Sequence, residues 1–311
     1  MVTAGNAIVG ALRDDVDRLL AAEPDVRADA WDSVHQMRVA TRRLRSVLRS
    51  YRTLFEPSPI AEMQQELKWL ADLLGVARDA EVRAERFAAL LAAHAPQDEF
   101  ARLATESAAA GTSKTAGNGY VPGTTEYVRT ELVGAERDRY ARAHANILDA
   151  LDKHRYHTLR HRLSAWRTEP PLDAAKSNQP AAEVFERILR KDRKRLRRLV
   201  YAEPAVSPEE RVELLHDIRK GAKRLRYSCE GAIDVLGSPA KDLGNEAKRL
   251  QTVLGDHRDA VESREAILAR ADETHATGVN ATIYALLADA EEIAAGEALA
   301  KYPAAAAFVS A

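Results

Sequence analysis

The sequence predicts an all-α protein built from two similar halves, and three observations carry that expectation. Apolar residues make up 46% of the 311 and aromatics only 5%, with abundant Ala, Leu, Arg and Glu, a balance that favours helices. Apolar positions recur with a helical period along most of the chain, and no strand-period segment with turn chemistry stands out. The third observation is repetition. The stretch Ser33 to Arg52, SVHQMRVATRRLRSVLRSYR, returns as LHDIRKGAKRLRYSCE at Leu215 to Glu230. His35 falls over His216, Arg38 over Arg219, Arg42 over Lys223, Arg43 over Arg224 and Arg45 over Arg226, at a constant offset of 181. A later block, WLADLLGVARDAEV from Trp69, matches RLQTVLGDHRDAVE from Arg249 and sets Gly75 over Gly255 and Arg78 over Arg258 at an offset of 180. Two ordered blocks at nearly one offset indicate an internal duplication, and two copies make a pseudo-symmetric pair, not a solenoid.

Taken in order, Asn6 to Ala22 carries Ile8, Val9, Leu12, Val16, Leu19 and Leu20 at helical spacing, and Glu23-Pro24 is expected to end that helix. The first motif helix follows and stops near Phe55, before the two prolines of EPSPI. Ala61 to Leu74 reads as the next helix, with Gly75 where a C′ glycine would stand, and Asp79 as the N-cap of another that runs to His94. Gly111 to Thr125 is a polar, glycine-rich loop, and Glu126 to Trp166 reads as two helices broken near Asp152 to His154. Thr168 to Ala182 is proline-rich and reads as the linker, which divides the chain into halves 1–170 and 183–311 around 171–182. Helices are then expected at Glu183 to Tyr201, Pro208 to Leu236, Ala240 to Leu254, Asp259 to His275, Gly278 to Gly296 and Glu297 to Val309.

At about 100° per residue, His35, Arg38, Arg42, Arg45 and Arg49 fall within an arc of roughly 80°, opposite Met37, Leu44, Leu48 and Tyr51. Surface helices normally dilute such a stripe with Glu at i±4, because like charges at that spacing repel. Between Ser33 and Thr53 there is no acidic residue. A helix that keeps this repulsion unrelieved suits an anion with many charges in a row. The segment Arg187 to Arg198 adds a further concentration, with eight Lys or Arg in twelve positions, and Arg187, Arg190, Lys194 and Arg197 follow an i, i+3, i+7, i+10 course along it. Lys194 lies over Arg13 at the 181 offset, so the first half keeps a weaker copy. The net charge is only −1, so these cations act through a local field and not a global one.

The HxxRVxxRRLRS opening, the LLGxxRD element and the repetition of both resemble the CHAD domain, the conserved histidine α-helical domain, over essentially the whole chain from about Ala7. The resemblance implies two four-helix-bundle-like halves facing each other across a basic channel that binds inorganic polyphosphate without catalysis. Carried onto this sequence, the binding residues are the stripe of His35, Arg38, Arg42, Arg45 and Arg49 with Arg43, the matching His216, Arg219, Lys220, Lys223, Arg224 and Arg226, and the outlying Arg13, Arg190, Lys194 and Arg197. Arg78 and Arg258 either join them or pair with a carboxylate. Arg43, Arg224, Arg195 and Arg198 sit off the stripe centres and are open to ion pairing.

The chemistry fits a phosphate chain. Arginine's planar fork makes charge-assisted, often bidentate bonds to phosphate oxygens, and lysine adds point charge. His35 and His216 stand at the same phase of the two stripes, which favours a ligand-facing role over a histidine satisfied by its own backbone. A hydrolase using the same channel is the alternative, but it would need a carboxylate cluster for a divalent metal, and the motif helices carry no DxD, ExE or GxxxxGK. A nucleic-acid binder is the second alternative and would want stacking aromatics. Tyr51 and Trp69 read as core, and Tyr227 stands alone near the stripe.

His157 and His161 are four apart, as on a metal-binding helix face, yet Arg155, Arg160 and Arg162 crowd them, so no metal and no cofactor is expected. The single Cys229 lies on an apolar face and reads as a core thiol. No signal-like N-terminus and no long apolar run occurs, which gives the expectation of a cytoplasmic protein without a membrane partner, and the resemblance leaves room for polyphosphate granules. A monomer is compatible with the sequence, which does not set the oligomeric state.

Overall fold

The computed structural model of the chain describes residues 2–95, 123–276 and 281–310. It is all-α. In order the helices are α1 (Ala4–Arg27), α2 (Ser33–Ser50), α3 (Pro57–His94), α4 (Thr125–Arg129), α5 (Ala135–Leu151), α6 (His154–Trp166) and α7 (Ala174–Ser177). They continue with α8 (Ala181–Ala202), α9 (Pro208–Glu230), α10 (Ile233–Leu236), α11 (Ser238–His275), α12 (Thr282–Ala300) and α13 (Tyr302–Ala306). No strand occurs among the described residues, only isolated bridges from Thr3 to Pro180 and from Phe55 to Leu172. No helix among them is long and apolar enough to cross a membrane.

The chain forms two compact units: Met1–Val76 with Ala143–Gly255 and Lys301–Ala311, and Ala77–Arg142 with Asp256–Ala300. In the first, α1 packs along α2, α9 along α8, and α9 also on α2. Ile8, Leu12 and Leu19 of α1, Met37, Leu44 and Leu48 of α2, Phe185 of α8 and Leu225 of α9 are all essentially inaccessible to water. Burying a side chain of that size contributes about 1.5–3 kcal/mol, and this layer fixes which face of α2 and α9 is left for polar residues. The core of the second unit gathers Phe87 and Leu91, Val128 and Leu132, Ile267, and Tyr284 and Leu287.

Several sequence-based boundaries move, each for a physical reason. α1 does not end at Glu23-Pro24 but runs a further turn with Pro24 inside it. That turn is anchored by side chains: Arg27 donates to Glu23 of the same helix at 2.9 Å and to Asp152 at 2.7 Å, and a ring nitrogen of His144 meets the Val26 carbonyl at 2.8 Å. Such anchors offset the one backbone bond that proline removes.

Gly75 does not terminate a helix. α3 passes straight through it, and α11 through Gly255, each as 38 unbroken residues. Asp79 and Asp259 therefore sit inside helices and are not N-caps. α9 stops at Glu230, short of the expected Leu236, with Gly231 as its C-cap, where a Cβ would lie 3.2 Å from the Tyr51 ring. α12 runs past Gly296, which meets nothing within 4 Å, to Ala300.

The segment expected as a linker is pinned in place. Glu56 donates to Pro171, Asp173 to Leu54 and Ala4 to Gln179, with all three bonds at 2.8–3.0 Å. The glycine-rich loop lies outside the described residues up to position 122. The break at Asp152 to His154 falls between α5 and α6. Cys229 is buried in the core, and that burial pushes its thiol up to about 12.

Candidate functional site

The site is built by α2 and α9. Each carries a histidine, His35 near the start of α2 and His216 within α9, with cations at i+3 and i+7 from it, so the helical repeat alone puts them on one face. A buried polar seam joins the two helices. The Tyr51 hydroxyl donates to the Ser228 carbonyl at 2.7 Å, the Ser228 hydroxyl donates to Asp192 of α8 at 2.7 Å, and the Ser50 oxygen lies 2.6 Å from it. With the helices locked at this end, their cationic faces border one groove of about 530 Å³.

Arg42, Arg45 and Arg49 line the groove from α2, and Lys220, Lys223 and Arg224 from α9. Lys223 reports how tightly they converge. Burial first, then the charges of Arg42, Arg219, Arg38 and Arg45, bring it from 10.5 down to about 7. Arg45 is lowered too, by burial above all, with Arg49 and Arg42 pressing the same way and Asp72 opposing. Among the described residues no carboxylate lies within ion-pair distance of Arg42, Arg45, Arg49 or Lys223. Arg42 reaches only the Tyr227 hydroxyl, at 3.4 Å.

Arg38 and Arg219 lie beside the two glycines. At Gly75 a Cβ would lie 3.8 Å from the Arg38 guanidinium, and at Gly255 3.5 Å from that of Arg219. Both guanidinium groups approach a helix at its glycine. A glycine in a helix interior costs about 1 kcal/mol relative to Ala, and a Cβ at either position would meet the arginine at ordinary van der Waals distance, so only a larger side chain would displace the guanidinium.

Other expected binding residues are committed elsewhere. Arg43 pairs with Asp15 of α1 at 3.0 Å and with Glu230 at 3.3 Å. Arg224 touches the groove but pairs with the buried Asp192 at 2.9 Å, and Arg226 pairs with Glu230 at 2.7 Å. Lys220, at the groove's edge, holds Asp217 at 2.8 Å, and that bond, with smaller help from His216 and Arg195, keeps the Asp217 carboxyl below its usual range. Arg13 is exposed and donates to the Arg167 carbonyl at 3.4 Å. Arg190, Lys194 and Arg197 face solvent on α8 and do not line the groove. In the second unit Arg78 pairs with Glu81 at 2.8 Å and Arg258 with Glu262 at 2.5 Å. His157 and His161 are exposed on α6, and no group of three His, Cys, Asp or Glu among the described residues is placed to hold a metal ion.

Sequence reasoning missed one wall. Gln64, Gln65 and Lys68 of α3 line the groove as well, and the Gln64 amide nitrogen is buried with no hydrogen-bond partner among the described residues. Polar positions opposite Met63, Leu67 and Leu70 look like any solvated helix face, so only the packing reveals them. Tyr227 is 3% exposed, with Arg226 over its ring at 5.2 Å, which makes it a buried support and not a stacking platform. Trp69 is half-buried beneath Arg155, 4.3 Å from the ring centroid.

Comparison with known proteins places this geometry. The sequence model of the CHAD domain matches residues 10–268. The chain is 35% identical over 277 residues to the protein Rv2226 of Mycobacterium tuberculosis and equally to MT2285 from another strain of that organism, covering 89% of this chain and 48% of each relative. It thus spans about half the length of the curated relatives it matches. Among solved structures, PptA from Streptomyces chartreusis superposes with a TM-score of 0.71 at 20% identity, over 97% of this chain and 99% of that one. The CHAD domain from the plant Ricinus communis superposes with a TM-score of 0.55 at 22% identity, over 100% and 92%. Both likenesses are of fold.

Proposed function

The chain belongs to the CHAD domain family, and on that premise we propose that the groove between α2 and α9 holds inorganic polyphosphate and does not hydrolyse it. Polyphosphate binding is a known feature of the family, which supports a polyphosphate-related role. The observation that carries the finer reading is the sorting of the cations. Arg43, Arg224 and Arg226 have carboxylates, while Arg42, Arg45, Arg49 and Lys223 converge without one among the described residues.

Such a cluster raises its own energy until an anion arrives. Each phosphate brings about one negative charge and oxygens on several sides, which three guanidinium forks, an ammonium and the Gln64 amide can take as acceptors. The nearby Arg38 and Arg219 add field to the same space.

The test is a calorimetric titration with long-chain polyphosphate across a range of salt. The expected result is tight binding that weakens steeply as salt rises, through counterion release. The combined Arg42→Ala, Arg45→Ala, Arg49→Ala variant should keep its helicity and bind at least about tenfold more weakly, a loss of about 1.4 kcal/mol. Duplex DNA of equal charge that binds as tightly would refute the reading in favour of a nucleic-acid partner, and release of orthophosphate with Mg²⁺ or Mn²⁺ would establish a hydrolase instead.

A further inference from the structure

Among the described residues three lysines line the groove, and they are not alike. Lys68 of α3 holds Asp72 at 2.7 Å and Lys220 holds Asp217 at 2.8 Å, so both are exposed ammonium groups tied to a carboxylate. Lys223 is half-buried, with no carboxylate in ion-pair reach among the described residues, and Arg42, Arg45 and Arg49 line the same space. A lysine withdrawn from water and set beside other cations gives up its proton readily, and the free amine is a nucleophile. Burial and the neighbouring arginines bring Lys223 to about 7, so at neutral pH about half of it is amine, against less than about one part in a thousand of an ordinary lysine.

Holding a polyanion needs the ammonium and makes no use of the amine. An electrophile does use it, and the arginines select one that carries a phosphate. In an acyl phosphate the carbonyl carbon is separated from phosphorus by a single oxygen, so forks that hold the phosphate keep the carbonyl in the groove that Lys223 lines. The same forks take up the negative charge that grows on the departing phosphate oxygen. A phosphate-bearing aldehyde expels no phosphate and draws no such help.

On the reading that the groove binds phosphate chains, we propose that Lys223 is a site of acylation by small acyl phosphates, and that its acylation weakens polyphosphate binding. The neutral Lys223 Nζ attacks the carbonyl carbon and an amide C–N bond forms. The C–O bond to phosphate breaks with its electron pair going to the phosphate oxygen, and the nitrogen passes its surplus proton to water or to that phosphate. Nothing is oxidised or reduced. The amide carries no charge, so the groove keeps its guanidiniums and loses an ammonium on which four arginines bear. Long polyphosphate opposes the reaction, because it fills the groove and holds the proton on Lys223. A single acyl phosphate brings only about two negative charges to the guanidiniums of Arg42, Arg45 and Arg49 and leaves the amine free.

The experiment incubates the full chain with acetyl phosphate near pH 7 and follows each lysine by peptide mass spectrometry. A parallel reaction uses the N-hydroxysuccinimide ester of acetic acid, which acetylates amines but carries no phosphate. With acetyl phosphate, Lys223 should react at least about tenfold faster than Lys68 or Lys220, in keeping with the amine fractions. Its preference over Lys220 should be at least about threefold greater than with the ester, because only acetyl phosphate is held in place. Excess long-chain polyphosphate should slow Lys223 at least about fivefold and leave Lys241, exposed on α11 outside the groove, unchanged. Protein acetylated at Lys223, and the Lys223→Gln variant as its mimic, should bind long-chain polyphosphate at least about threefold more weakly. Equal rates at Lys223 and Lys220 would overturn the proposal, and so would a preference that is the same with the ester, since the groove would then take no part in presenting the acyl group. Acetylation that leaves polyphosphate affinity unchanged would overturn its second half. A chain that binds polyphosphate yet shows no preference for Lys223 sinks this inference alone, whereas one that binds no polyphosphate sinks the groove reading and this inference with it.

Discussion

Replacing Lys223 by Met should make the free protein more stable and its polyphosphate complex weaker. Burial and four arginine neighbours bring Lys223 from 10.5 to about 7. At about 1.4 kcal/mol per pH unit, keeping that ammonium protonated in the folded chain costs at most about 5 kcal/mol. The groove is open to water, which screens part of this, so about 1–3 kcal/mol is expected to be felt. Methionine keeps the stem and removes the charge. At roughly 2 °C per kcal/mol for a chain of this size, the thermal midpoint should rise by about 2–6 °C near neutral pH.

The sign with pH is fixed. Below about 7 both folded and unfolded chains carry the ammonium and the penalty is complete; it fades as pH climbs from about 7 toward 10.5, where the folded chain has already shed the proton. Thermal melts of both proteins from about pH 6 to about pH 10 should therefore show the largest gain at the acid end and almost none at the alkaline end. Bound polyphosphate favours the charged form, so wild-type protein should take up a proton on binding near pH 7, read by calorimetry in buffers of different ionisation enthalpy, and the variant should not. A variant less stable at every pH, or a gain that ignores pH, would refute the picture of a strained cation cluster.

Asp192→Ala should cost about 2–4 kcal/mol in chemical denaturation, because it leaves Arg224 without its buried carboxylate, while the Ser228 hydroxyl falls back on the Arg224 carbonyl. Glu291→Ala should destabilise the second unit by about 3 kcal/mol, since Glu291 is fully buried and takes both prongs of Arg86 at 2.5 Å; Glu291→Gln should recover part of that in the same melt. Gly75→Ala should be neutral or stabilising by up to about 1 kcal/mol, whereas Gly75→Leu should push Arg38 off the helix and weaken polyphosphate titrations with little change in helicity by circular dichroism.

The helices were legible because their apolar positions repeat locally, and the basic faces were legible because α2 carries no acid to dilute them. What was not legible depends on tertiary neighbours. Gly75 and Gly255 each follow an apolar run and look like helix ends, yet each is the landing place of an arginine 37 or 36 positions earlier. A signal did exist. The arginines recur at an offset of 181 and the glycines at 180, and a terminator has no reason to travel with a distant arginine. The ion pairs of Arg43 and Arg224 lie 28 and 32 positions from their partners, and no local pattern names those carboxylates. The α3 wall was hidden because glutamine on an outward face is the ordinary case.

These ion pairs account for the direction of the free cations. Neighbouring residues on a helix point about 100° apart. Tying Arg43 to Asp15 on α1 turns Arg42 away from α1, to where it meets Tyr227 of α9. Tying Arg224 to Asp192 on α8 likewise turns Lys223 toward α2, where it feels Arg42 and Arg45. One helix precedes each motif helix, and in both cases its aspartate pairs with a cation of the next, in keeping with the rotation that the apolar layer sets. A buried ion pair contributes little net stability, since desolvation offsets most of its attraction, but it sets registry. Registry is what a cluster of like charges lacks by itself: left free, Arg42 and Lys223 would swing apart into water. The carboxylates of α1 and α8 thus act on the groove without facing it.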